Sequence, residues 1–249
     1  MIARTIRYEA IDSTNAEAHR LADAGERGPL WIVAESQSSG RGRLGRSWVS
    51  EPGNLYTTLL LTIEGDARAA SQLSFVASLA ARDTAADLLR SDRGLALKWP
   101  NDVLLQGAKF CGILPESLLT LAPAAMVVGI GIGLNLAHAP EATPYPVAAL
   151  GGHIAPADAL AVLRGHFARW FSLWNMGAGF AAIRENWFAH AMGKRGRATI
   201  DMNGTTHEGA FTGLAADGAL ILEKDDKSEM IIHAGDVRFA ELDALRALP

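Results

Sequence analysis

The chemistry most evident in the sequence lies in a segment rich in glycine and arginine, Gly40-Arg41-Gly42-Arg43-Leu44-Gly45-Arg46, which we call the arginine loop. Three glycines and three arginines share its seven positions, and no acidic residue occurs from Ser36 through Ser50. Glycine allows backbone N–H groups to approach a ligand closely, and arginine supplies planar cations that fit phosphate or carboxylate. The segment therefore predicts a loop that binds an anion.

The glycine spacing also fits G-x-G-x-x-G, but the flanking sequence excludes a dinucleotide fold, which needs a helix directly after the loop. A strand is predicted before the loop, from Leu30 to Glu35, whereas Pro52-Gly53 leads into another strand. The kinase triplets His-Arg-Asp and Asp-Phe-Gly are absent from the sequence, as is a Walker A motif. The simpler alternative, a solvated basic surface loop, is disfavoured because the composition departs from that of ordinary turns.

A second polar segment, Lys98-Trp99-Pro100-Asn101-Asp102, follows a short predicted strand, and Lys109 comes eleven residues after Lys98. Proline and the Asn-Asp pair force a turn. Alone, this segment would suit a hairpin with two solvated lysines, since short motifs have high false-positive rates. Together with the arginine loop, it predicts a site that gathers cations and polar turn residues around an anionic ligand.

The elements that must position these segments alternate between strands and helices in the first part of the chain, as hydrophobic periodicity indicates. The predicted strands are Ile6–Ile11, Leu30–Glu35, Asn54–Ile63, Leu95–Trp99, Val103–Leu105, Phe110–Leu119 and Met126–Leu136. Helices are predicted to begin at Thr14 and to span Ala67–Leu89, Ala157–Trp174 and Phe180–His190. Thr14-Asn15-Ala16-Glu17 fits a capping box with Thr14 as the N-cap.

The pattern changes after Gly193 to short strands separated by turn residues. Asn203-Gly204 is a strong hairpin signal, and Asp217-Gly218 marks a further turn. The predicted strands are Ala198–Met202, Thr205–Thr212, Ala219–Glu223, Met230–His233 and Val237–Ala240. We predict a mixed α/β catalytic domain over residues 1–192 and a small β-barrel over residues 193–249, which leans on the larger domain because so short a chain buries little core.

Composition narrows the function classes. The chain has 249 residues, of which 49% are hydrophobic and 20% charged, as expected of a globular protein. Its net charge of −4 argues against a nucleic-acid partner. Glycines and prolines interrupt the uncharged stretch between Glu116 and Glu141, so we expect no membrane span. One cysteine, Cys111, suits a reducing cytoplasm, and the scattered histidines predict no metal centre built from side chains.

Several segments in the same order make the chain resemble the biotin protein ligases. The family's Gly-Arg-Gly-Arg-x-Gly loop stands at Gly40–Gly45, and its Lys-Trp-Pro-Asn-Asp motif is unaltered at Lys98–Asp102. Further matches are Ser13-Thr14-Asn15, Gln37, Lys109 and Gly131-Ile132-Gly133-Leu134-Asn135. The resemblance implies an α+β fold, with a mixed sheet and flanking helices of the class II synthetase-like, biotin–lipoate ligase type, and a C-terminal SH3-like β-barrel.

The resemblance implies that ATP activates biotin to biotinyl-5′-adenylate, which then biotinylates a lysine in the biotin carboxyl carrier domain of an acyl-CoA carboxylase. Biotin and ATP would be substrates, with Mg²⁺ accompanying them. Only twelve residues precede Ser13, so we expect a ligase without the DNA-binding domain of bifunctional relatives. The alternatives are a lipoate or octanoate ligase or transferase, and a non-catalytic regulator that binds the adenylate. Pro115 leaves a strand-edge dimer open, so we expect a monomer or weak homodimer.

Residue roles follow from the same resemblance. Catalysis is assigned to Lys109, Arg43 and Asp102. Biotin binding is assigned to Ser13, Thr14, Asn15, Gln37, Gly40, Arg41, Lys109, Gly112 and Gly131. Binding of ATP and the adenylate is assigned to Arg41, Arg43, Arg46, Trp48, Lys98, Asn101 and Asn135.

Some roles stay open at the level of sequence. Arg46 either assists the other arginines or is solvated, and Lys98 either binds charge or orients its loop. Asp102 would hold Mg²⁺, orient a lysine or take a proton. Thr14 is explained equally well as a helix cap, and core packing explains Trp48 and Trp99 as well as a role in walling the site does.

Overall fold

The computed structural model describes residues 3–122, 124–202 and 204–242. Seven strands form a mixed sheet in the order β1-β2-β3-β7-β6-β5-β4. Only β1 and β2 run parallel, and the other neighbouring pairs are antiparallel. The strands are β1 (Arg4–Ile11), β2 (Leu30–Gln37), β3 (Leu55–Glu64), β4 (Leu95–Lys98), β5 (Asp102–Leu105), β6 (Ala108–Ala122) and β7 (Ala125–Leu134).

In the described part of the chain, helices cover the sheet on both faces: α1 (Thr14–Asp23), α2 (Ala67–Leu89), α3 (Pro156–Trp174) and α4 (Phe180–Ala189). Alternate residues of a strand point to opposite faces. Accordingly, Leu30 and Ile32 of β2 pack in the small cluster that contains Ala18 of α1. Trp31 and Val33 pack in the main core with α2 and α3. Burial on both faces explains why the central strands are almost uniformly apolar.

The C-terminal strands form a second, antiparallel sheet in the order β11-β10-β9-β8-β12. They are β8 (Arg197–Met202), β9 (Thr205–Leu214), β10 (Leu220–Glu223), β11 (Glu229–Ile232) and β12 (Asp236–Phe239). We call this unit the barrel. The predicted all-β unit is confirmed, while its boundary after Met192 stays a proposal.

The barrel is joined to the larger domain through buried contacts. The Phe188 ring of α4 meets Phe211 of β9 edge to face, with 5.2 Å between centroids. The Trp99 indole N–H donates to the Gly218 carbonyl over 3.0 Å. Gly218 has φ +91°, and a Cβ there would lie 2.7 Å from the Phe75 ring. A glycine turn of the barrel therefore seats directly against α2 and the Lys98–Asp102 turn.

Most predicted elements are confirmed to within a few residues, and α2 matches its predicted bounds. The prediction of a capping box with Thr14 as the N-cap was wrong. Thr14 is the first residue of α1 rather than its N-cap, and the N-cap Ser13 makes no side-chain capping bond. Glu17 accepts hydrogen bonds from Tyr8 and Arg20 instead. The reason is tertiary, because the Thr14 hydroxyl is drawn to the Gln37 side chain.

Some sequence predictions fall outside the described residues. They concern Pro123 in the turn between β6 and β7, Asn203 in the predicted hairpin turn, and residues 243–249 of the C-terminal segment. Among the described helices, none has the length and apolar character needed to cross a membrane.

Cys111 provides a test of the packing beneath the site. It lies in β6, is fully buried and is not in a disulfide. Burial strongly raises the pKa of its thiol, so the reactive thiolate is suppressed. We expect iodoacetamide to leave the native protein unmodified and to alkylate it completely in urea, as read from the intact mass. Rapid alkylation without denaturant would contradict this packing.

Candidate active site

The two cationic segments predicted from the sequence meet in one cavity between the large sheet and the barrel. The predicted site residues that line it are Ser13, Thr14, Asn15, Gln37, Arg41, Arg43, Arg46, Trp48, Lys98, Asn101, Asp102, Lys109, Gly112 and Gly131. They come from the start of α1, the end of β2, the arginine loop, the β4–β5 turn, β6 and β7.

One end of the cavity is uncharged and fully hydrogen-bonded. The Thr14 backbone N–H and hydroxyl both donate to Gln37 Oε1, at 2.8 and 3.1 Å. Gln37 Nε2 donates to Ser50, whose hydroxyl donates to the Trp48 carbonyl. The Thr58 hydroxyl lies within 2.8 Å of the Thr14 hydroxyl. Buried polar groups are costly unless paired, so this network fixes the amide orientation of Gln37.

Asn15 forms the floor next to this network. Its Nδ2 donates to the Leu114 carbonyl at 3.2 Å and to Glu116 Oε2 at 2.6 Å. Its Oδ1 accepts from Thr58 at 2.6 Å. A Cβ at Gly131 would lie 2.4 Å from this oxygen. Asn15 therefore occupies space that only glycine at position 131 leaves open.

Trp48 lies on a glycine platform formed by two paired strands. Gly112 of β6 and Gly133 of β7 are direct cross-strand partners. A Cβ would lie 2.9 Å from the Trp48 ring at Gly112 and 2.7 Å from it at Gly133. The indole Nε1 is buried and has no hydrogen-bond partner among the described residues. The ring thus walls the cavity, and its indole Nε1 edge lies against Gly133.

Lys109 places a compact cation at the centre of the cavity. Its Nζ lies 2.6 Å from Asp102 Oδ1, and its side chain is 15% exposed. The contact is an ion pair rather than a well-aligned hydrogen bond, because that Asp102 oxygen has no partner of hydrogen-bond geometry. The ring centroids of Trp48 and Tyr145 lie 5.3 and 5.6 Å from the same Nζ. Lys98 also lines the cavity, and it is not without a partner.

The arginine loop is a short closed turn. The Gly42 N–H donates to the Arg46 carbonyl at 2.7 Å, and the Trp48 N–H donates to the Gly40 carbonyl at 2.9 Å. A single 3₁₀ turn spans Arg43–Gly45, with Leu44 at φ 57°. As the sequence predicted, no α-helix follows the loop directly. The turn projects Arg41, Arg43 and Arg46 toward the cavity.

The arginines differ in their surroundings. Arg43 is half-buried and donates to Asn101 Oδ1 over 3.4 Å. Burial lowers the pKa of its guanidinium, and the nearby carboxylates of Asp102 and Asp236 oppose that change. Arg46 is more exposed and pairs with Asp236 of β12 at 2.5 Å. The hydrogen bond donated to Asp236 raises the pKa of Arg46. Both groups remain cations at neutral pH.

Two predicted binding residues do not line the cavity. Gly40 is buried behind it, where a Cβ would lie 2.4 Å from the Trp48 carbonyl. Asn135 is also buried, and its Nδ2 donates to the Ala148 carbonyl at 3.1 Å. Asn135 therefore secures the segment after β7, while its nucleotide role and the ligand contact of Gly40 stay predictions. The Trp99 indole N–H donates to the Gly218 carbonyl and so holds the barrel against the larger domain.

The sequence did not reveal three residues of the site. Thr58 of β3 completes the uncharged network, Tyr145 faces Lys109, and Asp236 of the barrel pairs with Arg46. Thr58 stands in an apolar strand, Tyr145 in the loop after β7 and Asp236 at the first position of β12, and none of them belongs to a motif. Only the tertiary fold brings them to the cavity.

Comparisons with known proteins agree with this geometry. The Biotin/lipoate A/B protein ligase family matches residues 8–135, and the Biotin protein ligase C terminal domain matches residues 197–239. A Paracoccus denitrificans protein, named biotin–[acetyl-CoA-carboxylase] ligase, is 44% identical over 96% of this chain and 99% of its own length. The bifunctional ligase/repressor BirA of Bacillus subtilis is 28% identical, over 92% of this chain and 72% of its own length.

A solved structure shares the fold. Biotin protein ligase from Aquifex aeolicus, in complex with biotin and ATP, superposes with a TM-score of 0.78. The superposition covers 95% of this chain and 99% of that one, at 23% sequence identity.

The glycine platform can be tested by adding one methyl group. We expect Gly133→Ala to lower the free energy of unfolding by about 1–3 kcal/mol, because the methyl group overlaps the Trp48 ring. Gly129→Ala, four residues earlier on the same face of β7, is the matched control. Its methyl group would meet only the mobile end of Leu118 and a Thr58 methyl group, at 3.3–3.4 Å. Urea titration of both variants compares them, and equal costs would argue against the platform.

The Arg46–Asp236 pair should hold the arginine loop against the barrel. We expect Asp236→Asn to speed chymotrypsin cleavage after Leu44, which is 81% exposed. The increase should be about two- to five-fold, since an exposed ion pair contributes up to about 1 kcal/mol. The double variant with Arg46→Asp and Asp236→Arg should restore the slow rate. Glu223→Gln, which breaks a pair elsewhere on the barrel, is the control. An unchanged rate in Asp236→Asn would show that the pair does not restrain the loop.

Proposed function

The chain belongs to the biotin/lipoate A/B protein ligase family as an ATP-dependent biotin–protein ligase, and we propose how its cavity performs both steps of the reaction. The observation that carries the proposal is the division of the cavity. Arg43 and Lys109 both lie close to Asp102, whereas the network around Thr14 and Gln37 contains no charged side chain. This arrangement suits a molecule with a neutral polar head and a carboxylate that must meet phosphates.

In the first step, a carboxylate oxygen of biotin attacks the α-phosphorus of ATP. A mixed anhydride forms, and pyrophosphate leaves. The two reactants repel each other, so cations must offset their charge and hold them in line. We assign Arg41 and Arg43 to the carboxylate and phosphates, with Arg46 and Lys98 as further cations around them. Lys109 suits a bridge between the carboxylate and the α-phosphate because its ammonium is compact.

Asp102 best fits the role of orienting Lys109, because the ion pair fixes the ammonium in the centre of the cavity. The donor set also suits Mg²⁺ delivered by ATP. Asp102 and Asp236 line the cavity, and no group of three potential metal ligands occurs among the described residues. Mg²⁺ commonly uses one or two carboxylates together with phosphates and waters. Asp102 would hold such an ion, which would offset phosphate charge.

The ureido head of biotin is neutral and has both donors and acceptors. We assign it to the network of Thr14 and Gln37, with Ser13 and Asn15 beside it. Gly112 and Gly131 let the Trp48 ring and the Asn15 amide rest directly on the sheet, and we assign these two groups to the walls around the rings of biotin. Asn101 Nδ2 donates to the Ile113 carbonyl, and Asn101 Oδ1 accepts a hydrogen bond from Arg43. We therefore assign Asn101 an indirect role in nucleotide binding, that of positioning Arg43.

In the second step, a lysine amine of the carrier protein attacks the carbonyl carbon of the anhydride, and AMP leaves. We propose the biotin carboxyl carrier domain of an acyl-CoA carboxylase as that acceptor, in the cytoplasm. The barrel contributes Asp236, Val237 and Leu242 to the cavity, which favours a role in closing over ATP.

We propose a monomer or weak homodimer. β5 pairs with β6 only between Ala108 and Gly112. From Ile113 onward, β7 is the one neighbouring strand of β6 within the described chain. Pro115 lies on this stretch and lacks a backbone donor, which weakens edge-to-edge pairing.

A pyrophosphate-release assay tests the function. We expect biotin with ATP to release pyrophosphate and lipoate with ATP to release little above background. Adding a carrier domain should then yield a singly biotinylated protein by mass spectrometry, and a carrier without its target lysine should stay unmodified.

Each alternative gives a different result. Faster release with lipoate would identify a lipoate ligase. Tight biotin binding without pyrophosphate release would identify a non-catalytic regulator.

A further inference from the structure

We propose that Tyr145 is a positioning residue for the adenylation step, which acts by holding the Lys109 ammonium between its own ring and that of Trp48. The inference rests on the proposed role of Lys109. It concerns a residue that carries no sequence motif and lies outside both segments that predicted the site.

The backbone around Tyr145 is fixed directly to Lys109. The Lys109 N–H donates to the Pro146 carbonyl, and the Ala148 N–H donates to the Lys109 carbonyl, each at 2.9 Å. Lys109 and Val147 thereby form a parallel bridge. The residue next to Tyr145 is thus hydrogen-bonded to the residue whose side chain its ring faces.

Asn135 holds the same segment from the other side. Its Nδ2 donates to the Ala148 carbonyl, and its own carbonyl accepts from the Leu150 N–H at 3.0 Å. Asn135 is buried at the end of β7, a rigid central strand. The backbone that follows Tyr145 is therefore hydrogen-bonded to the sheet at residues 146, 148 and 150.

Three groups surround the Lys109 ammonium at short range. Asp102 lies 2.6 Å away, and the Trp48 and Tyr145 centroids lie 5.3 and 5.6 Å away. Both ring distances fall within the range of cation–π attraction, which extends to about 6 Å. The four-carbon stem of lysine is flexible, so two ring faces restrict where its charge can rest.

The two kinds of partner have different consequences for catalysis. A carboxylate competes with phosphate for the ammonium because both are anions. An aromatic face attracts the ammonium without neutralising its charge, which leaves it able to bind incoming oxygens. Tyr145 and Trp48 can therefore keep Lys109 in place while its anionic partner changes. This role needs the ring face of Tyr145 and not its hydroxyl.

The test is a double-variant cycle in the full chain. Tyr145→Leu removes the ring face, Tyr145→Phe keeps it, and Lys109→Met removes the ammonium at similar length. Pyrophosphate release with biotin and ATP gives kcat and KM for each variant. Tyr8→Leu, in β1 and outside the cavity, is the control for loss of a tyrosine.

We expect Tyr145→Leu to lower kcat about five- to ten-fold, the size expected for a cation–π contact, with KM for ATP changed less than about two-fold. Tyr145→Phe should retain most of the rate. In the Lys109→Met background, Tyr145→Leu should add no further loss. Where that background is too slow, the same cycle is measured as the Kd of a non-hydrolysable biotinyl-adenylate analogue.

Each contrary result identifies what failed. An equal loss from Tyr145→Leu in both backgrounds, or a raised KM for ATP, would show that Tyr145 contacts the nucleotide or supports the fold instead. A loss in Tyr145→Phe as large as in Tyr145→Leu would assign the effect to the hydroxyl. If Lys109→Met fails to release pyrophosphate while Tyr145→Leu is fully active, only this inference is overturned. Full activity in Lys109→Met would overturn the role of Lys109 and the inference together.

Discussion

The site depends on the absence of side chains at the centre of a β-sheet. Gly112 and Gly133 face each other across β6 and β7, and Gly131 lies two residues along. The backbone there is open to direct contact, so the Trp48 ring and the Asn15 amide rest on the sheet itself. A side chain at any of these positions would overlap the Trp48 ring or the Asn15 amide, both of which line the cavity beside the cations.

Charge is arranged around that floor in two tiers. Lys109 lies deep and is paired with Asp102, whereas Arg46 lies near solvent and is paired with Asp236. Arg43 stands between them, half-buried and close to both carboxylates. Each of these three cations thus lies near a carboxylate, which limits the repulsion among the positive charges of the site. Phosphate oxygens would compete with these carboxylates for the cations, because both groups are anions.

How much could be predicted depended on whether a signal was local. The bounds of α2 were found because a long apolar periodicity lies within the segment, and the structure shows Asp66 as its N-cap. The arginine loop and the Lys98–Asp102 turn were found because unusual residue types are adjacent in sequence. Thr14 was misassigned as a cap, since its hydroxyl partner Gln37 comes from another strand. The hydrogen bond from the Asn135 amide to the Ala148 carbonyl was not foreseen for the same reason, because the two residues are separated along the chain. Tyr145 and Asp236 were missed because only folding brings them near Lys109 and Arg46.

The contact between Gly218 and Trp99 limits how the protein can be divided into separate units. The barrel bonds to the same five-residue motif that supplies Lys98, Asn101 and Asp102, and it also pairs with the arginine loop. Removing the barrel would uncover the Trp99 indole and the Phe75 ring, and would release one end of each catalytic segment. In engineering terms, the two units are not modules that can be exchanged independently. A barrel taken from a relative would need matching residues at both seams before the active site could form.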